Sequence, residues 1–433
     1  MKFKIMTLGC KVNQAESSGL AEALRELELT EAGSAADADL LIVNSCAVTG
    51  ESVRKTKQLL RSLKRRNPQA KLILTGCWPQ AFPEDEFEDA DFVTGTKNRD
   101  ALLDYIMQAQ AELPSRCIAP YQSGDAFSAL PCADTTRTRA FLKIQDGCNQ
   151  FCSYCIIPFA RGRCRSMPPE RLEAEAKRLA EAGFREIVLT GINLGFFGTD
   201  TGQPLAEAVA VCAAQPGVLR VRLGSLEPER MDQETLEALA ACEKFCPQFH
   251  LSLQSGCDRI LKRMNRRYTA AEYRALAAKI RSIFPHSALT TDVIVGFPGE
   301  TDAEFEETLR FVEETGFAKV HVFPYSPRTG TRAAEFPDQV PQSVKTERAA
   351  RLSALADDIR RKHLAGMVGQ TVEVLAEREK QQNAQRFYQG HTPDGTLVKI
   401  FPENAEKGLQ NCVICVTIEG YEDDCLRAVL PQC

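Results

Sequence analysis

The sequence has no uninterrupted apolar run that approaches the roughly 18 residues that a membrane-spanning helix needs. Near its start, Lys11 and Asn13 interrupt the pattern before the apolar core of a secretion signal could form, so we expect a cytoplasmic protein without a membrane span. The chain also lacks an excess of positive charge, because its net charge is -5, and its overall field therefore does not favour a nucleic acid. With 44% hydrophobic and 26% charged residues, disorder and a collagen-like structure are excluded.

Cysteine, in contrast, is unusually common, with 17 copies among 433 residues. This number is below the density of a disulfide scaffold, and an odd count excludes complete pairing. In a reducing compartment the thiols stay available as thiolate ligands. We therefore expect metal or redox chemistry at some of the cysteines.

Three cysteines each follow a short apolar run in the first hundred residues. FKIMTLGC ends at Cys10, DLLIVNSC at Cys46 and LILTGC at Cys77, and helical patterns follow the first two runs. Such alternation predicts a parallel sheet, whose sites lie at the carboxyl ends of its strands. We therefore expect the three thiols to converge as ligands of one site, with buried free thiols as the alternative.

Three domains are predicted, with the fold class α/β. The first is a parallel α/β domain over 1–113, and a segment rich in proline, serine and threonine over 114–137 predicts a linker. Six strand patterns with helices between them predict an incomplete parallel (βα)6 barrel over 138–365. Alternating short strands over 366–433 predict a small antiparallel β-barrel or sandwich.

The most specific motif is GCNQFCSYC, which places Cys148, Cys152 and Cys155 on one loop after the first strand of the barrel. Three thiolates can ligate three irons of a [4Fe-4S] cluster, and the fourth iron is then open to the amino and carboxylate groups of a substrate. Tyr154 offers an aromatic face beside the last ligand. Zinc is the alternative, but it usually takes four protein ligands, and no second ligand pair lies nearby in the sequence.

The loop KIQDGCNQFCSYCIIPFARGR is similar to that of radical S-adenosylmethionine enzymes. Together with TLGCKVNQ, VNSCAVT and LTGCWPQ, it makes the chain resemble the methylthiotransferases of that group over essentially its whole length. The resemblance implies two [4Fe-4S] clusters and S-adenosylmethionine as cofactors. The cluster that cleaves S-adenosylmethionine would lie on Cys148, Cys152 and Cys155, and the cluster that carries sulfur on Cys10, Cys46 and Cys77.

The same resemblance implies that S-adenosylmethionine contacts segments that follow the barrel strands. The candidate residues in these segments are Gly191, Asn193, Gln254 and Gly296. Ordinary strand-to-helix loops explain the same glycines and polar residues, and they remain the alternative. We assign no chemistry to the eleven other cysteines.

Several segments most resemble the branch that methylthiolates carbon 2 of N6-threonylcarbamoyladenosine next to the anticodon in tRNA. They are TLGCKVNQ, QDGCN, LSLQSGCDRILKRMNRRYT and VFPYSPRTGT. Sister branches that act on isopentenyladenosine in tRNA or on an aspartate of a ribosomal protein stay open, as does a non-catalytic iron-sulfur protein that binds RNA. We expect a monomer that binds tRNA and receives electrons from a donor that the sequence does not identify.

Basic residues cluster locally although the net charge is negative. One group of seven lies over 54–66, and smaller groups lie over 161–165 and 259–267. Such groups can contact phosphates, although a solvated helix face is the usual alternative. The last domain resembles an RNA-binding TRAM domain but has six lysines and arginines against ten acids, so binding RNA would require Arg386, Lys399 and Lys407 to share one face.

Overall fold

The computed structural model describes residues 1–97, 99–107, 115–131, 138–382, 385–402 and 408–430. They form an amino-terminal parallel sheet, an incomplete parallel barrel and a small closed β-barrel. In these ranges no helix combines the length and the apolar character that crossing a bilayer requires.

The amino-terminal sheet has six parallel strands in the order β2-β1-β3-β4-β5-β6. The strands are β1 (Lys2–Thr7), β2 (Thr30–Glu31), β3 (Leu40–Ser45), β4 (Lys71–Gly76), β5 (Phe92–Thr94) and β6 (Arg116–Cys117). The helices are α1 (Lys11–Glu26), α2 (Gly50–Arg66), α3 (Cys77–Ala81) and α4 (Arg99–Met107). Alternate residues of β3 enter two separate cores, because α1 and α4 cover one face of the sheet and α2 the other.

The segment over 114–137, which the sequence predicts to be a linker, contributes β6 to the edge of this sheet. Residues 114 and 132–137 lie outside the described residues. The first domain therefore continues structurally beyond residue 113, while the other domain boundaries stay predictions.

The second unit has two parallel arcs, β11-β10-β7 and β12-β13-β14-β15. Its strands are β7 (Arg139–Lys143), β8 (Gln145–Asp146), β9 (Arg165–Ser166), β10 (Glu186–Thr190), β11 (Arg220–Leu223), β12 (Ser225–Leu226), β13 (Gln248–Leu251), β14 (Ala288–Val295) and β15 (Lys319–Pro324). Because β11 and β12 are two parts of one strand interrupted at Gly224, the arcs provide six strand positions, which confirms the incomplete (βα)6 barrel.

Helices alternate with these strands and cover the outside of the barrel. They are α5 (Ile157–Arg161), α6 (Pro169–Glu181), α7 (Leu205–Ala213), α8 (Gln233–Ala240), α9 (Asp258–Arg263), α10 (Ala270–Ile283), α11 (Asp302–Thr315) and α12 (Gln342–Met367). Thr301 and Glu304 form a capping box at the start of α11, and Gly316 ends it with a φ of 64°. In the first unit, α1 packs against β7, so the amino-terminal sheet closes over the open side of the barrel.

The last unit is a closed barrel in the order β16-β17-β18-β20-β19. Its strands are β16 (Thr371–Gln382), β17 (Gln385–His391), β18 (Leu397–Phe401), β19 (Val413–Glu422) and β20 (Cys425–Val429). The expectation of a purely antiparallel barrel is corrected at one pairing: β20 returns from β19 and pairs parallel with β18. Arg220 and Arg222 tie this barrel to the amino ends of the parallel strands through Glu373 and the carbonyl oxygen of Thr392.

Candidate active site

The first three candidate cysteines come together at one edge of the amino-terminal sheet. The neighbouring parallel strands β1, β3 and β4 each lead into one of them. Cys46 and Cys77 directly follow β3 and β4, and Cys10 lies three residues after the end of β1. A Cβ atom on Gly9 would lie only 3.2 Å from the Cβ of Cys46, so the first loop runs close to the second cysteine. The convergence that the strand-end pattern predicts is therefore present in the fold, while ligation stays a prediction.

Burial raises the pKa of two of these thiols, Cys46 and Cys77. Burial raises the pKa of Cys77 to about 12, and the neighbouring Cys46 and Cys10 act in the same direction. Burial also raises the pKa of Cys46. Ionising the two buried thiols therefore requires positive charge, which a bound metal cluster supplies.

The second triplet lies on the loop between β8 and α5. The backbone N–H of Gln150 donates to the Cys148 Sγ at 3.4 Å, and Arg266 Nη1 donates to the Cys152 Sγ at 3.3 Å. Gly147 has a φ of +72°, and a Cβ there would lie 1.9 Å from the carbonyl oxygen of Arg163. Only glycine fits this tight turn, which aims the three cysteines at a common space.

The spacing of the sulfur atoms tests the zinc alternative. Sulfur ligands at 2.3 Å from one tetrahedral ion lie roughly 4 Å apart. Within the described residues, the one group of potential ligands whose atoms all lie within 4.8 Å of one another is His250, Asp292 and His321, not either cysteine triplet. Neither triplet therefore shows the compact arrangement that a single tetrahedral ion needs.

A cavity of about 190 Å³ is lined by residues of both the amino-terminal unit and the barrel. Val48 and Thr49, just after Cys46, form one wall, and the opposite walls include Cys155 and Gln254. Tyr154 adds an aromatic surface and packs edge-on against Phe297 at 6.5 Å between ring centroids. Of the six candidate cysteines, Cys155 alone lines this cavity, and Val48 and Thr49 bring the segment after Cys46 to it. A larger cleft of about 610 Å³ lies on the outer side of the cluster loop, but none of the six cysteines lines it.

Comparisons with known proteins agree with this geometry. The model of the radical SAM superfamily matches residues 142–312, and that of Uncharacterized protein family UPF0004 matches residues 2–95. The threonylcarbamoyladenosine tRNA methylthiotransferase MtaB of Thermotoga maritima is 40% identical over 378 residues, or 86% of each chain. The chain belongs to the radical S-adenosylmethionine methylthiotransferase family. Family membership brings S-adenosylmethionine and one [4Fe-4S] cluster with it.

Two further relatives and one solved structure place this methylthiotransferase among its neighbours. The MtaB protein of Bacillus subtilis is 38% identical and covers 89% of this chain and 87% of its own. A tRNA-2-methylthio-N(6)-dimethylallyladenosine synthase of Pelotomaculum thermopropionicum is 36% identical, over 97% and 95% of the two chains. The radical S-adenosylmethionine methyltransferase TsrM of Kitasatospora setae has the same fold, with a TM-score of 0.55 and 14% sequence identity. The match covers 77% of this chain and 75% of the TsrM chain.

The predicted cofactor-binding residues of the methylthiotransferase differ in their surroundings. Asn193 donates through Nδ2 to the Cys148 Sγ at 3.6 Å, and Gln254 lines the cavity with a φ of 67°. Gly191 lies against Gln145, where a Cβ would be 2.8 Å from its Oε1. The N–H of Gly296 donates to Glu300 Oε2 at 2.7 Å, so this amide already has a partner within the protein.

Buried polar atoms without a partner mark the side of the site next to Cys148. Within the described residues, Gln150 Oε1, Asn193 Oδ1 and Glu229 Oε2 are buried and form no hydrogen bond. Buried polar groups are normally paired, so these atoms fit a polar ligand such as the amino-acid part of S-adenosylmethionine. The residues present therefore suit that cofactor.

A buried ionic network joins the sheet to the barrel, and the sequence analysis did not predict it. Glu16 of α1 accepts hydrogen bonds from Arg99, Lys143 and Arg161, and Arg161 has no exposed side-chain surface. No local signal could reveal this network, because 145 residues separate Glu16 from Arg161. We name Glu16, Arg99, Lys143, Asp146, Arg161 and Arg165 the interdomain network.

The structure removes several arginines from two of the candidate phosphate-binding groups. Over 161–165, Arg161 and Arg165 are buried in the interdomain network and cannot face RNA, although Arg163 stays exposed. Over 259–267, Arg263 pairs with Asp338 at 2.7 Å and Arg266 is buried beside Glu227, although Lys262 and Arg267 stay exposed. The acids that neutralise these groups lie far away in the sequence and could not be inferred from the basic runs.

Two of the three basic residues that RNA binding by the last barrel would require on one face have acidic neighbours. Arg386 pairs with Glu379, and Lys399 lies 3.8 Å from Glu422. Lys407 lies outside the described residues. Whether the three residues share one face therefore stays open.

Proposed function

We propose that this methylthiotransferase adds a methylthio group to carbon 2 of N6-threonylcarbamoyladenosine next to the anticodon of tRNA. The observation that carries the proposal is the cavity lined by Cys155 and by Val48 and Thr49, which follow Cys46, because the reaction needs a cleavage site and a sulfur source on one nucleoside. The names of the Thermotoga maritima and Bacillus subtilis relatives support this substrate. Each of these relatives covers more than four fifths of this chain.

The two triplets would hold two clusters with different tasks. Cys148, Cys152 and Cys155 would bind the cluster that family membership brings, and Cys10, Cys46 and Cys77 would bind a second [4Fe-4S] cluster. When bound, the first cluster supplies the electron that cleaves S-adenosylmethionine and the second supplies the sulfur that is transferred. S-adenosylmethionine would contact Gly191, Asn193, Gln254 and Gly296.

The chain's own residues position the reactants and limit the access of water. Arg266, paired with Glu227, donates to the Cys152 sulfur and holds the loop in place. Tyr154, Phe297 and Tyr325 form an aromatic group at the cavity, which lowers the local dielectric and excludes solvent. Holding cofactor and nucleoside together in this space replaces diffusional encounters by a fixed geometry.

The tRNA backbone would lie along α2. This helix starts four residues after Cys46, and the N–H of Gly50 donates to the hydroxyl of Ser326 on the barrel at 3.1 Å. Arg65 and Arg66 are exposed, and neither forms an ion pair with the described residues. These two side chains can therefore contact phosphates directly. We further propose a cytoplasmic monomer that receives electrons from a separate donor protein.

The test is methylthiolation of defined tRNAs by the anaerobically reconstituted enzyme. With S-adenosylmethionine and reductant, tRNA carrying N6-threonylcarbamoyladenosine should yield the 2-methylthio nucleoside, detected by mass spectrometry after digestion. The matched control is the same tRNA with N6-dimethylallyladenosine, the substrate in the name of the Pelotomaculum relative. Modification of the control tRNA alone would show that the proposed substrate is wrong.

A further inference from the structure

An arginine close to the cavity is buried without a partner for its charge. Arg328 is only 8% exposed, and its buried Nε forms no hydrogen bond. Among the residues that the structure describes, none forms an ion pair with its guanidinium. A buried charge is costly unless it is paired, so buried guanidinium groups normally have an anionic partner. The partner of Arg328 therefore has to come from another molecule.

The neighbours of Arg328 hold its guanidinium without neutralising it. The guanidinium carbon lies over the ring of Phe82, 4.9 Å from the ring centroid, in a cation–π contact. Asp85 is the carboxylate whose charge acts on Arg328, but it accepts a hydrogen bond from Trp78 Nε1 at 2.7 Å and forms no ion pair with the arginine. The N–H groups along the edge of the guanidinium therefore stay available for an anion.

The guanidinium lies beside the start of α2. A Cβ atom on Gly50, the first residue of this helix, would lie 3.6 Å from Arg328 Nη1. The start of a helix carries partial positive charge and favours anions. Glu51 is the acid in the first turn, but it pairs with Arg54 at 2.6 Å and does not neutralise Arg328. A buried arginine and the start of a 17-residue helix therefore favour an anion at the same position.

This position lies at the rim of the cavity that would hold the nucleoside. Thr49 and Ser326 line the cavity, and the N–H of Gly50 donates to Ser326 Oγ at 3.1 Å. The arginine itself is not among the lining residues. Val48 and Phe323 also line the cavity and are 51% and 43% exposed, so its mouth opens beside Thr49. An anion bound here would therefore lie next to the mouth and outside the cavity.

The location at the rim distinguishes between the anionic groups of a tRNA substrate. A base inside the cavity leaves its ribose and phosphates at the mouth, whereas a substituent on N6 enters with the base. Arginine binds phosphate through two parallel hydrogen bonds, and helix starts are common phosphate sites. Arg65 and Arg66 are exposed on the same helix, so a tRNA backbone along α2 would continue to this position. A phosphate is therefore the anion that the position favours.

We propose that Arg328 and the start of α2 bind a phosphate that flanks the target nucleotide of the tRNA. This contact fixes how far the base of that nucleotide enters the cavity. The inference deepens the proposed function and rests on its tRNA substrate, but it does not depend on the N6 substituent. Because every nucleotide carries this phosphate, Arg328 positions the substrate and does not select among modified adenosines.

The test measures binding of anticodon stem-loop RNAs to the holoenzyme by fluorescence anisotropy. One RNA has an unmodified adenosine at the target position, and two others carry a neutral methylphosphonate in place of the phosphate on its 5' or its 3' side. In the wild type, one of these two replacements should weaken binding about tenfold, because a charge-assisted pair is lost. Arg328→Gln should weaken binding of the unaltered RNA by a similar factor, and the same replacement should then have no further effect.

A control variant and an independent second variant complete the comparison. Arg310→Gln changes an exposed arginine of α11 and should bind all three RNAs as the wild type does. Gly50→Asp places a carboxylate beside Arg328, and aspartate is favourable in the first turn of a helix. This variant should show the same loss of binding and of sensitivity to the methylphosphonate. It decides the question alone if Arg328→Gln does not fold.

Three outcomes would overturn the phosphate site. The first is equal sensitivity of the wild type and both variants to the methylphosphonates. The second is weaker binding by Arg328→Gln only when the RNA carries the threonylcarbamoyl group, which would make its carboxylate the anion. The third is a lower iron content in Arg328→Gln, which would assign the guanidinium to a cluster on Cys46. Failure of the proposed function is separate, since the wild type would then not methylthiolate the threonylcarbamoyl tRNA although the effect of the methylphosphonate persists.

Discussion

Replacing Glu16 by glutamine should destabilise the interface between the amino-terminal sheet and the barrel. Glu16 accepts hydrogen bonds at 2.7 Å from Arg99, 2.8 Å from Lys143 and 2.6 Å from Arg161, and only 3% of its side chain is exposed. Although burial alone would raise it, the pKa of Glu16 is held well below its usual range by these cations, Arg161 first among them. The carboxylate is therefore charged at neutral pH.

The expected cost of this substitution follows from the charges left behind. Glutamine keeps the shape of Glu16 but leaves the buried cations with Asp146 as the remaining anion of the interdomain network. Removing one partner of a buried ion pair costs about 3–5 kcal/mol, a large share of the roughly 5–15 kcal/mol that stabilise a typical domain. We therefore expect the free energy of unfolding to fall by about 3 kcal/mol or more.

Urea unfolding of the metal-free protein, followed by circular dichroism, measures this cost. Glu26→Gln is the matched control, because Glu26 is an exposed residue at the end of the same helix. Its effect should stay within about 0.5 kcal/mol. A change below about 1 kcal/mol in Glu16→Gln would refute the view that the interdomain network holds the two units together. In the loaded enzyme we expect Glu16→Gln to form more 5'-deoxyadenosine per methylthiolated tRNA, because the network sets the separation of the triplets.

Three further predictions concern pH, RNA binding and the cluster loop. Arg222 opposes the effect of burial and lowers the pKa of Glu186 to about 2, so this pair should stabilise the fold fully above about pH 4.5. The free energy of unfolding should fall by up to about 3 kcal/mol as the pH falls toward 2. Glu186→Gln should remove this pH dependence when unfolding is measured at a series of acidic pH values. Replacing Arg65 and Arg66 by glutamine should weaken tRNA binding and reduce the slope of log K against log salt by about two, whereas an unchanged slope would exclude α2 as a phosphate contact. Gly147→Ala should lose the iron of the barrel site, because its Cβ would lie 1.9 Å from a backbone oxygen, and full iron content in this variant would contradict the turn geometry.

The sequence predicts the candidate site better than its surroundings. Cys10, Cys46 and Cys77 each follow an apolar run, and parallel pairing brings consecutive strand ends together without any further information. The second triplet is local, so its spacing alone reveals it. The helix over Asp302–Thr315 is likewise predictable, because a capping box and a terminal glycine mark its two ends.

Pairings between distant residues explain what the sequence does not reveal. A run of basic residues looks the same whether it faces solvent or distant acids, and Arg161 and Arg263 have acids that come from other elements. The short strand β6 pairs at a sheet edge within a segment of turn-forming residues, where no apolar period marks it. The parallel pairing of β20 with β18 depends on how the closed barrel is completed.

The separate roles of the two triplets are tested most directly by one comparison of products. Alanine at Cys10, Cys46 and Cys77 should lower the iron content from about eight to about four per chain. This variant should still form 5'-deoxyadenosine from S-adenosylmethionine, while its yield of the 2-methylthio nucleoside falls to zero. Continued methylthiolation by the variant would contradict the central claim that the amino-terminal triplet holds the sulfur-donating cluster.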